Sequence, residues 1–385
     1  MGRFRDALTG PGLSAIAEVK RRSPSAGDLR PDADPAELAA TFELAGAAGV
    51  SVLVDERFAG SVDDLRAARA ATAVPLLAKG FFREERQLVE LQAAGADAVL
   101  LLLRDLDDGA LHHLLETARR LGLDALVEAH DGSELERAVA LGADPIGLNA
   151  RDLDSFRIDR RAQLDLVSKA PRDRVVIAES GVASAAQAAA AELAGADAVL
   201  VGSTLMRAAD PGAALRRLLA RPLVKVCGLT RQEDVDAAVD AGADLVGFIL
   251  ARESPRQAER VLDVPETTLS VAVLVGELEE TPADLTQIYA RENGHRARNG
   301  TLLLGGHEVA RVLDQPWQDR DPEHLAEAAA AEGRVILAGG LTAANVGKAI
   351  AAVLPWAVDA SSSLETAPGI KDHERIREFV AAARC

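Results

Sequence analysis

The sequence predicts an α/β protein of two tandem (β/α)8 barrels, the second of them shortened and irregular in its middle strands. Three observations carry this prediction. The chain has 385 residues, which suits two domains of roughly 150–250 residues each. Short apolar runs recur behind regularly spaced glycines, and the pattern restarts after residue 221. We therefore expect one barrel at residues 1–220 and another at residues 221–385.

The glycines mark alternate strands of the first barrel. A βα unit takes roughly 20–25 residues, so an interval of about 50 residues holds two of them. Glycine suits the left-handed position that ends a helix, and a strand that is apolar on both faces is typical of a parallel sheet covered by helices. The apolar runs of the first barrel begin at Gly49, Gly95, Gly142 and Gly195, and the same spacing continues to Gly242 in the second barrel.

Four more apolar runs lie between these, at residues 14–20, 74–80, 124–130 and 174–180. Interleaving the two sets gives eight strands before residue 205, and roughly 200–250 residues is the usual length of such a barrel. An open doubly wound sheet is the competing architecture, but no G-x-G-x-x-G follows the first strand.

The second barrel is predicted from a repetition of the same pattern. A helix is expected at 231–240, and strands are expected at 223–228, 242–250, 269–276, 334–340 and 356–363. The stretch 290–322 is polar and poorly periodic, so strands are hardest to count there. Gly305-Gly306 within it is interpreted as a hairpin turn.

Composition excludes several classes of protein. A formal charge of −17 argues against general nucleic-acid binding. No uncharged apolar run reaches the roughly 18–20 residues of a membrane span, and the amino terminus lacks a secretory segment. The two cysteines, Cys227 and Cys385, build neither a disulfide framework nor a metal site. We expect a cytoplasmic, monomeric protein without cofactor or metal.

Polar residues end several strands of the first barrel, and active sites of this fold form at the carboxyl ends of the strands. Carboxylates and lysines that converge there shift each other's pKa values and suit acid–base chemistry. Loops after the seventh and eighth strands are the usual phosphate site. The strand-end residues are Glu18, Lys20, Lys79, Glu128, Asn149, Glu179, Ser180, Gly202 and Ser203, and the phosphate candidates are Ser23, Ser180, Gly181, Gly202 and Ser203.

These residues lie in motifs that resemble, in order, those of indole-3-glycerol-phosphate synthase. The motifs are AEVKRRSPS, RFAGS, LLAKGFF, LVEAH, GLNARDL, AESGV and LVGSTLM, over about residues 14–206. The resemblance implies closure of an indole ring from carboxyphenylamino-deoxyribulose phosphate, with loss of carbon dioxide and water.

The resemblance also implies residue roles. Lys79 would be the general acid on the substrate carbonyl, with a pKa lowered by burial or nearby cations. Glu128 would be the general base in dehydration, and Lys20 would engage the substrate carboxylate. Glu18, Asn149 and Glu179 would orient the reacting groups, Arg151 would bind substrate, and Phe58 and Phe81 would flank the anthranilate ring.

The second half resembles phosphoribosylanthranilate isomerase through KVCGLT, AGADLVGFIL, ESPRQ, LAGGLTAANV and VDASSSLE with PGIKD. The resemblance implies an Amadori rearrangement that yields the substrate of the first barrel. Cys227 would be the general base, with Lys225 and Arg256 making its surroundings electropositive. Arg256 would bind substrate, and Asp314 is the best match for the general acid. Gly339, Gly340, Ser361 and Ser362 would bind phosphate.

The sequence thus predicts a bifunctional enzyme of tryptophan biosynthesis acting on phosphorylated small molecules. One alternative is an active synthase whose second barrel is only structural. Another is a sugar-phosphate-binding protein without turnover. A third is a second barrel that has drifted toward the related sugar isomerisation of histidine biosynthesis.

Overall fold

A computed structural model describes residues 2–24, 26–152, 155–314 and 322–385. The chain divides into two compact units, one formed by Met1–Ala183 and Ala188–Leu219, the other by Ser184–Gln187 and Ala220–Cys385. Among the described residues, no helix has both the length and the apolar content needed to cross a membrane.

The first unit is a closed barrel of eight parallel strands. The predicted count of eight strands before residue 205 is therefore confirmed. The barrel closes where the first strand pairs with the last, with Ser14 opposite Ala198. The strands are β1 (Ser14–Val19), β2 (Gly49–Leu53), β3 (Leu76–Lys79), β4 (Ala98–Leu102), β5 (Asp124–Ala129), β6 (Ile146–Asn149), β7 (Val176–Glu179) and β8 (Ala198–Val201).

Helices surround this barrel, and several begin at a side chain that accepts a hydrogen bond from the first turn, which satisfies an otherwise unpaired N–H group. Asp34, Ser61, Asp107 and Asp131 are such caps. The helices are α1 (Arg3–Ala7), α2 (Pro35–Leu44), α3 (Val62–Ala71), α4 (Glu85–Ala93), α5 (Asp108–Leu121), α6 (Gly132–Ala140), α7 (Arg160–Lys169), α8 (Ala185–Ala194), α9 (Ser203–Arg207) and α10 (Pro211–Leu219).

The second unit is also a closed barrel of eight strands, but its fifth strand runs against the other seven. The predicted irregularity of the middle strands is therefore confirmed. The strands are β9 (Leu223–Cys227), β10 (Leu245–Ile249), β11 (Leu269–Val275), β12 (Leu285–Glu292), β13 (His295–Leu304), β14 (His307–Asp314), β15 (Val335–Ala338) and β16 (Ala357–Ala360).

Tight turns replace helical connections in the middle of this barrel. Asn293 and Gly294 have φ values of 50° and 81°, which suit the two-residue hairpin turn that asparagine and glycine favour. Gly305 and Gly306 connect the next pair of strands, which confirms the predicted hairpin turn. Three strands of this stretch were missed because β12 to β14 mix buried, partly exposed and exposed side chains instead of forming continuous apolar runs.

Within the described residues 220–314 and 322–385, helices of the second barrel follow β9, β14, β15 and β16, and none follows β10 to β13. They are α11 (Gln232–Asp240), α12 (Pro322–Ala330), α13 (Val346–Val353) and α14 (His373–Arg384). The inverted direction of β13 matters for the site. Its amino-terminal residues lie at the barrel end where the seven other strands finish, because His295 pairs with Glu292.

Candidate active sites

Lys79 lies at the centre of the candidate site at the carboxyl ends of the strands of the first barrel, which we call the first mouth. It ends β3, its side chain is buried, and its Nζ lies 2.5 Å from Glu179 Oε2. The same Nζ lies 3.5 Å from Glu128 Oε2 and 3.8 Å from Glu18 Oε2. Three carboxylates from strands β1, β5 and β7 therefore face one ammonium group, so the structure brings these four predicted residues together.

The electrostatics of Lys79 are the opposite of those expected. Burial opposes its charge, but the adjacent carboxylates of Glu179, Glu128 and Glu18 outweigh burial and raise its pKa. The expectation of a lowered pKa considered only burial and neighbouring cations and omitted this triad of anions. Lys79 is therefore a charged donor at neutral pH.

The pKa values of the three carboxylates differ from one another. Burial raises the pKa of Glu179 to about 7 despite the nearby Lys79, while Lys79 and hydrogen bonds hold the pKa of Glu128 well below its ordinary value against the effect of burial. For Glu18, burial is outweighed by Lys20 and Lys79, so its pKa is lowered. Glu179 Oε1 is buried without a hydrogen-bond partner among the described residues. The site thus holds two carboxylates that ionise readily and one that gains or loses its proton near neutral pH.

Lys20 and Asn149 also lie in this cluster. Lys20 Nζ is 2.6 Å from Glu18 Oε1, and Asn149 Nδ2 donates to Glu128 Oε1 at 2.9 Å. The backbone N–H of Arg151 donates to Asn149 Oδ1, and burial lowers the pKa of the Arg151 guanidinium. Two of the carboxylates around Lys79 are therefore fixed by hydrogen bonds on their other oxygens.

His130 was missed by the sequence analysis. Its Nε2 lies 3.3 Å from Glu128 Oε1 and its Nδ1 lies 3.2 Å from Glu134 Oε2. Burial opposes its charge, but the adjacent carboxylates of Glu128 and Glu134 raise its pKa to about 10. The only sequence signal was its place two residues after Glu128. At neutral pH His130 is an imidazolium that helps keep Glu128 ionised.

We expect His130→Gln to destabilise the protein in a pH-dependent way. Because the pKa of His130 rises from 6.5 to about 10 on folding, its charge stabilises fully below pH 6.5 and less as the pH rises to 10. Denaturant titration should give a loss of roughly 1.5–3 kcal/mol at pH 6 that shrinks toward pH 10. His113→Gln, which alters an exposed histidine beside Glu85, is the matched control and should change little. A loss independent of pH would contradict the assignment.

The two predicted aromatic residues, Phe58 and Phe81, have different surroundings. Phe58 ends a short 3-10 turn, Glu56–Phe58, and is partly exposed. The guanidinium of Arg57 lies over the ring of Phe81, 3.6 Å from its centroid. Arg57 is held in turn by Asp55 at 2.8 Å. One face of Phe81 is therefore covered by a cation, which the expectation of a ring contact did not include.

Two loops predicted to bind phosphate lie side by side. Ser180 and Gly181, after β7, have φ values of 67° and 76°. Gly202 precedes α9, which starts at Ser203, and Thr204 Oγ1 donates to the carbonyl of Val182 at 2.8 Å. The fifth candidate is separate in sequence: Ser23 is buried in a small hairpin formed by Arg22–Ser23 and Gly27–Asp28.

The second mouth is the same end of the second barrel, where its parallel strands finish. Cys227 ends β9 there and is buried. Gly247 on the next strand leaves room for it, because a Cβ there would stand 2.6 Å from the Cys227 sulfur. Burial raises the pKa of the Cys227 thiol, although Lys225 and Lys371 act to lower it. The expected electropositive surroundings are therefore only partly present.

Lys225 and Arg256 were both expected to act on this thiol, and their partners differ. Lys225 Nζ lies 2.7 Å from Asp359 Oδ2, and burial of its charge is outweighed by this partner, so its pKa is raised. Arg256 Nε lies 2.9 Å from both carboxylate oxygens of Glu365. Asp359 and Lys371 were missed, although both lie in motifs quoted above. Asp359 lies inside the strand expected at 356–363, and Lys371 does not follow an apolar run.

Asp314 is connected to Lys225 through two buried side chains. Lys225 Nζ donates to Gln287 Oε1 at 2.7 Å, and Gln287 Nε2 donates to Tyr289 Oη at 2.6 Å. Tyr289 Oη then lies 3.5 Å from Asp314 Oδ2. The structure therefore brings Asp314 to the mouth that holds Cys227. It also gives Asp314 an ion pair, with Arg296 Nη1 at 2.8 Å.

The four predicted phosphate residues of the second mouth follow β15 and β16. Gly339 and Gly340 have φ values of 96° and 80°. Ser361 Oγ is buried and has no hydrogen-bond partner among the described residues, and Ser362 starts a short 3-10 turn. Lys371 Nζ donates to the carbonyl of Ser361 at 3.0 Å. The cation of Lys371 and the unpartnered hydroxyl of Ser361 thus both lie within 3.4 Å of where a Cβ on Gly228 would stand.

Comparison with known proteins gives two family matches. Residues 3–218 match the family model of indole-3-glycerol phosphate synthase, and residues 319–382 match that of N-(5′-phosphoribosyl)anthranilate isomerase. Indole-3-glycerol phosphate synthase from Nocardioides sp. is 51% identical over 219 residues, which is 57% of this chain and 83% of that protein. Indole-3-glycerol phosphate synthase 2 from Streptomyces coelicolor is 49% identical over 217 residues, 56% of this chain and 84% of that protein.

Among solved structures, the chain is similar to TrpF from Jonesia denitrificans. The TM-score is 0.35 at 28% identity, and the match covers 43% of this chain and 97% of that one. Phosphoribosyl anthranilate isomerase from Thermotoga maritima matches with a TM-score of 0.32 at 24% identity, over 42% of this chain and 98% of that one.

Proposed function

The chain belongs to the indole-3-glycerol phosphate synthase family, and from this premise we propose that the cluster around Lys79 converts carboxyphenylamino-deoxyribulose phosphate to indole-3-glycerol phosphate. The chain also carries a match to the phosphoribosylanthranilate isomerase family, and both families act in tryptophan biosynthesis. The observation that carries the proposal is one buried ammonium group facing three carboxylates with separated pKa values.

Ring closure needs a proton at the ketone oxygen while a ring carbon of the anthranilate attacks the ketone carbon. Lys79, charged at neutral pH, donates this proton, and Glu179 at 2.5 Å is the group that exchanges a proton with it. The bond to the carboxylate then breaks, carbon dioxide leaves, and its electron pair restores the aromatic ring.

Dehydration follows on the same face of the site. The hydroxyl on the former ketone carbon takes a proton from Lys79, which Glu179 has reprotonated, and leaves as water. A proton leaves the neighbouring carbon to form the double bond of the indole. Glu128 accepts that proton as an ionised carboxylate, positioned by Asn149 and His130. Lys20, ion-paired to Glu18, engages the substrate carboxylate before it leaves. The loops at Gly181 and Ser203 hold the phosphate and thereby orient the reacting carbons.

In the second barrel we propose an Amadori rearrangement of phosphoribosylanthranilate. Asp314 protonates the ring oxygen as the sugar opens, and Cys227 removes the proton from C2 to give an enolamine that becomes the ketone. Lys225, the cation that does most to lower the pKa of Cys227, stabilises the thiolate. Gly340 and Ser361 contribute to phosphate binding. A cytoplasmic, monomeric enzyme is part of the same proposal.

A structural second barrel is the competing function, favoured by the ion pair that occupies Asp314 and by the tight turns of the middle strands. Steady-state assays of each half-reaction on the intact chain distinguish the two. We expect turnover of phosphoribosylanthranilate and of carboxyphenylamino-deoxyribulose phosphate. Turnover of only the second compound would favour the competing function, and turnover of neither would contradict the whole proposal.

A further inference from the structure

Tyr289 is the only tyrosine of the chain, and it is buried in the interior of the second barrel. It shares the inward face of β12 with Leu285 and Gln287, because side chains two residues apart on a strand point the same way. The reversed strand β13 places Gly300 directly opposite Tyr289. A Cβ at Gly300 would stand 2.9 Å from two carbons of the Tyr289 ring, so this glycine leaves the space that the ring fills.

The hydrogen bonds of Gln287 determine which way the Tyr289 hydroxyl points. The ammonium group of Lys225 can only donate, so it takes the amide oxygen of Gln287, Oε1, at 2.7 Å. The amide nitrogen, Nε2, is thereby turned to Tyr289 and donates to its Oη at 2.6 Å. Because Oη accepts this bond, its own proton is directed to another acceptor. Asp314 Oδ2 lies 3.5 Å away, at the long end for a hydrogen bond.

Arg296 binds the same carboxylate oxygen and is supported by the same ring. Its guanidinium lies over the Tyr289 ring, 4.2 Å from the centroid, and its Nη1 lies 2.8 Å from Asp314 Oδ2. A cation on the face of an aromatic ring is attracted by the ring's electrons. Tyr289 therefore acts on Asp314 twice, through its hydroxyl and through the arginine that its ring supports. In the part of the second barrel that the structure describes, no group bonds the other oxygen, Oδ1.

We infer that Tyr289 is a positioning residue of the isomerase reaction: it holds Asp314 by Oδ2, so that Asp314 donates its proton from Oδ1. This inference rests on the proposed isomerase function, with Asp314 as the general acid. Proton transfer needs the donor oxygen at a defined place and angle, and a carboxyl group held by its other oxygen keeps that place. Tyr289 is 3% exposed and the side chain of Asp314 is 21% exposed, so the acid and not the tyrosine is open to a ligand.

The kinetic test substitutes Tyr289 in the intact chain, with phosphoribosylanthranilate as substrate. Tyr289→Phe removes the hydroxyl and keeps the ring, so it should lower isomerase kcat by roughly 3–10-fold and leave KM within about twofold. Tyr289→Leu also removes the support of Arg296 and should lower kcat by roughly 10–100-fold. Ser270→Ala is the matched control, since Ser270 is another buried hydroxyl that donates to an aspartate, Asp284, but at the amino ends of the strands. It should leave kcat and KM unchanged.

A spectroscopic test reports the contact without relying on activity. With carbon-13 at the ring carbon that carries the tyrosine hydroxyl, the chain gives a single tyrosine signal in NMR spectra, because it has one tyrosine. Asp314→Asn should move this signal, since it removes the charged acceptor beside Tyr289 Oη. Ser270→Ala should leave the signal in place.

The outcomes separate the inference from the function on which it rests. A Tyr289→Phe chain with wild-type kcat overturns the positioning role while isomerase activity stands, and so does a tyrosine signal that Asp314→Asn does not move. A loss of kcat in the Ser270→Ala chain equal to that in the Tyr289→Phe chain shows a general defect of the barrel and also overturns it. A wild-type chain that does not turn over phosphoribosylanthranilate contradicts the isomerase function and the inference together.

Discussion

Replacing Lys79 by methionine should lower the synthase kcat by roughly 10²–10⁴-fold, the usual contribution of a positioned proton donor. Methionine fills similar space but supplies neither the proton nor the charge that faces Glu179, Glu128 and Glu18. Synthase turnover is followed as formation of indole-3-glycerol phosphate from the open-chain precursor. Isomerase turnover in the same preparation should be unchanged, because Cys227 and its neighbours are in the other barrel.

The same variant has a second signature, in stability. Without the ammonium group, Glu128 loses the main partner that lowers its pKa and Glu18 keeps only Lys20, so the folded protein binds protons more tightly than before. A group whose pKa is raised in the folded state contributes less to the stability of the protein as the pH rises through and above its unfolded pKa. The free energy of unfolding should therefore fall more at pH 8 than at pH 5.

Lys169→Met is the matched control for this variant, since Lys169 is an exposed lysine paired with Asp165 on α7. It should keep full synthase activity and ordinary stability. A Lys79→Met chain that retains more than about a tenth of wild-type kcat would remove Lys79 from the proton-transfer step. A stability loss equal at both pH values would contradict the electrostatic account of the cluster.

Replacing Cys227 by alanine should abolish isomerase turnover, with a fall in kcat of at least about 10²–10⁴-fold, because no other group is proposed to take the C2 proton. Synthase turnover should persist. Because burial raises the pKa of the thiol above its ordinary value, the wild-type isomerase rate should increase from pH 7 to pH 9 as the thiolate fraction grows.

Cys385→Ala is the control, since Cys385 is the other free cysteine and is exposed. It should leave both activities intact and should leave the pH profile of the isomerase in place. Isomerase activity that survives in the Cys227→Ala chain would show that another base acts there. A wild-type rate that falls from pH 7 to pH 9 would contradict the role of the thiolate.

Much of the fold could be predicted from the sequence because parallel strands buried on both faces are continuous apolar runs. The first barrel follows this pattern throughout, from β1 to β8. The middle of the second barrel does not, because β12 to β14 are hairpin strands with one exposed face. Only the turn at Gly305-Gly306 was predicted there from its glycine pair, although Asn293-Gly294 is an equally local signal.

The candidate sites were predictable to the extent that their residues directly follow an apolar run. Lys79 and Glu128 do, and the structure brings them together with Glu18 and Glu179. The direction of the Lys79 pKa shift was not predictable, because it depends on distances between side chains from four different strands. Arg296 could not be predicted at all, since its position follows from the reversal of one strand.

We propose that two separate acid–base sites on one chain act in succession. The most direct test adds phosphoribosylanthranilate to the Lys79→Met chain, to the Cys227→Ala chain, and to an equal mixture of both. We expect that neither chain alone forms indole-3-glycerol phosphate and that the mixture does, because the open-chain intermediate passes from one protein to the other. Product from the Cys227→Ala chain alone, or none from the mixture, would contradict it.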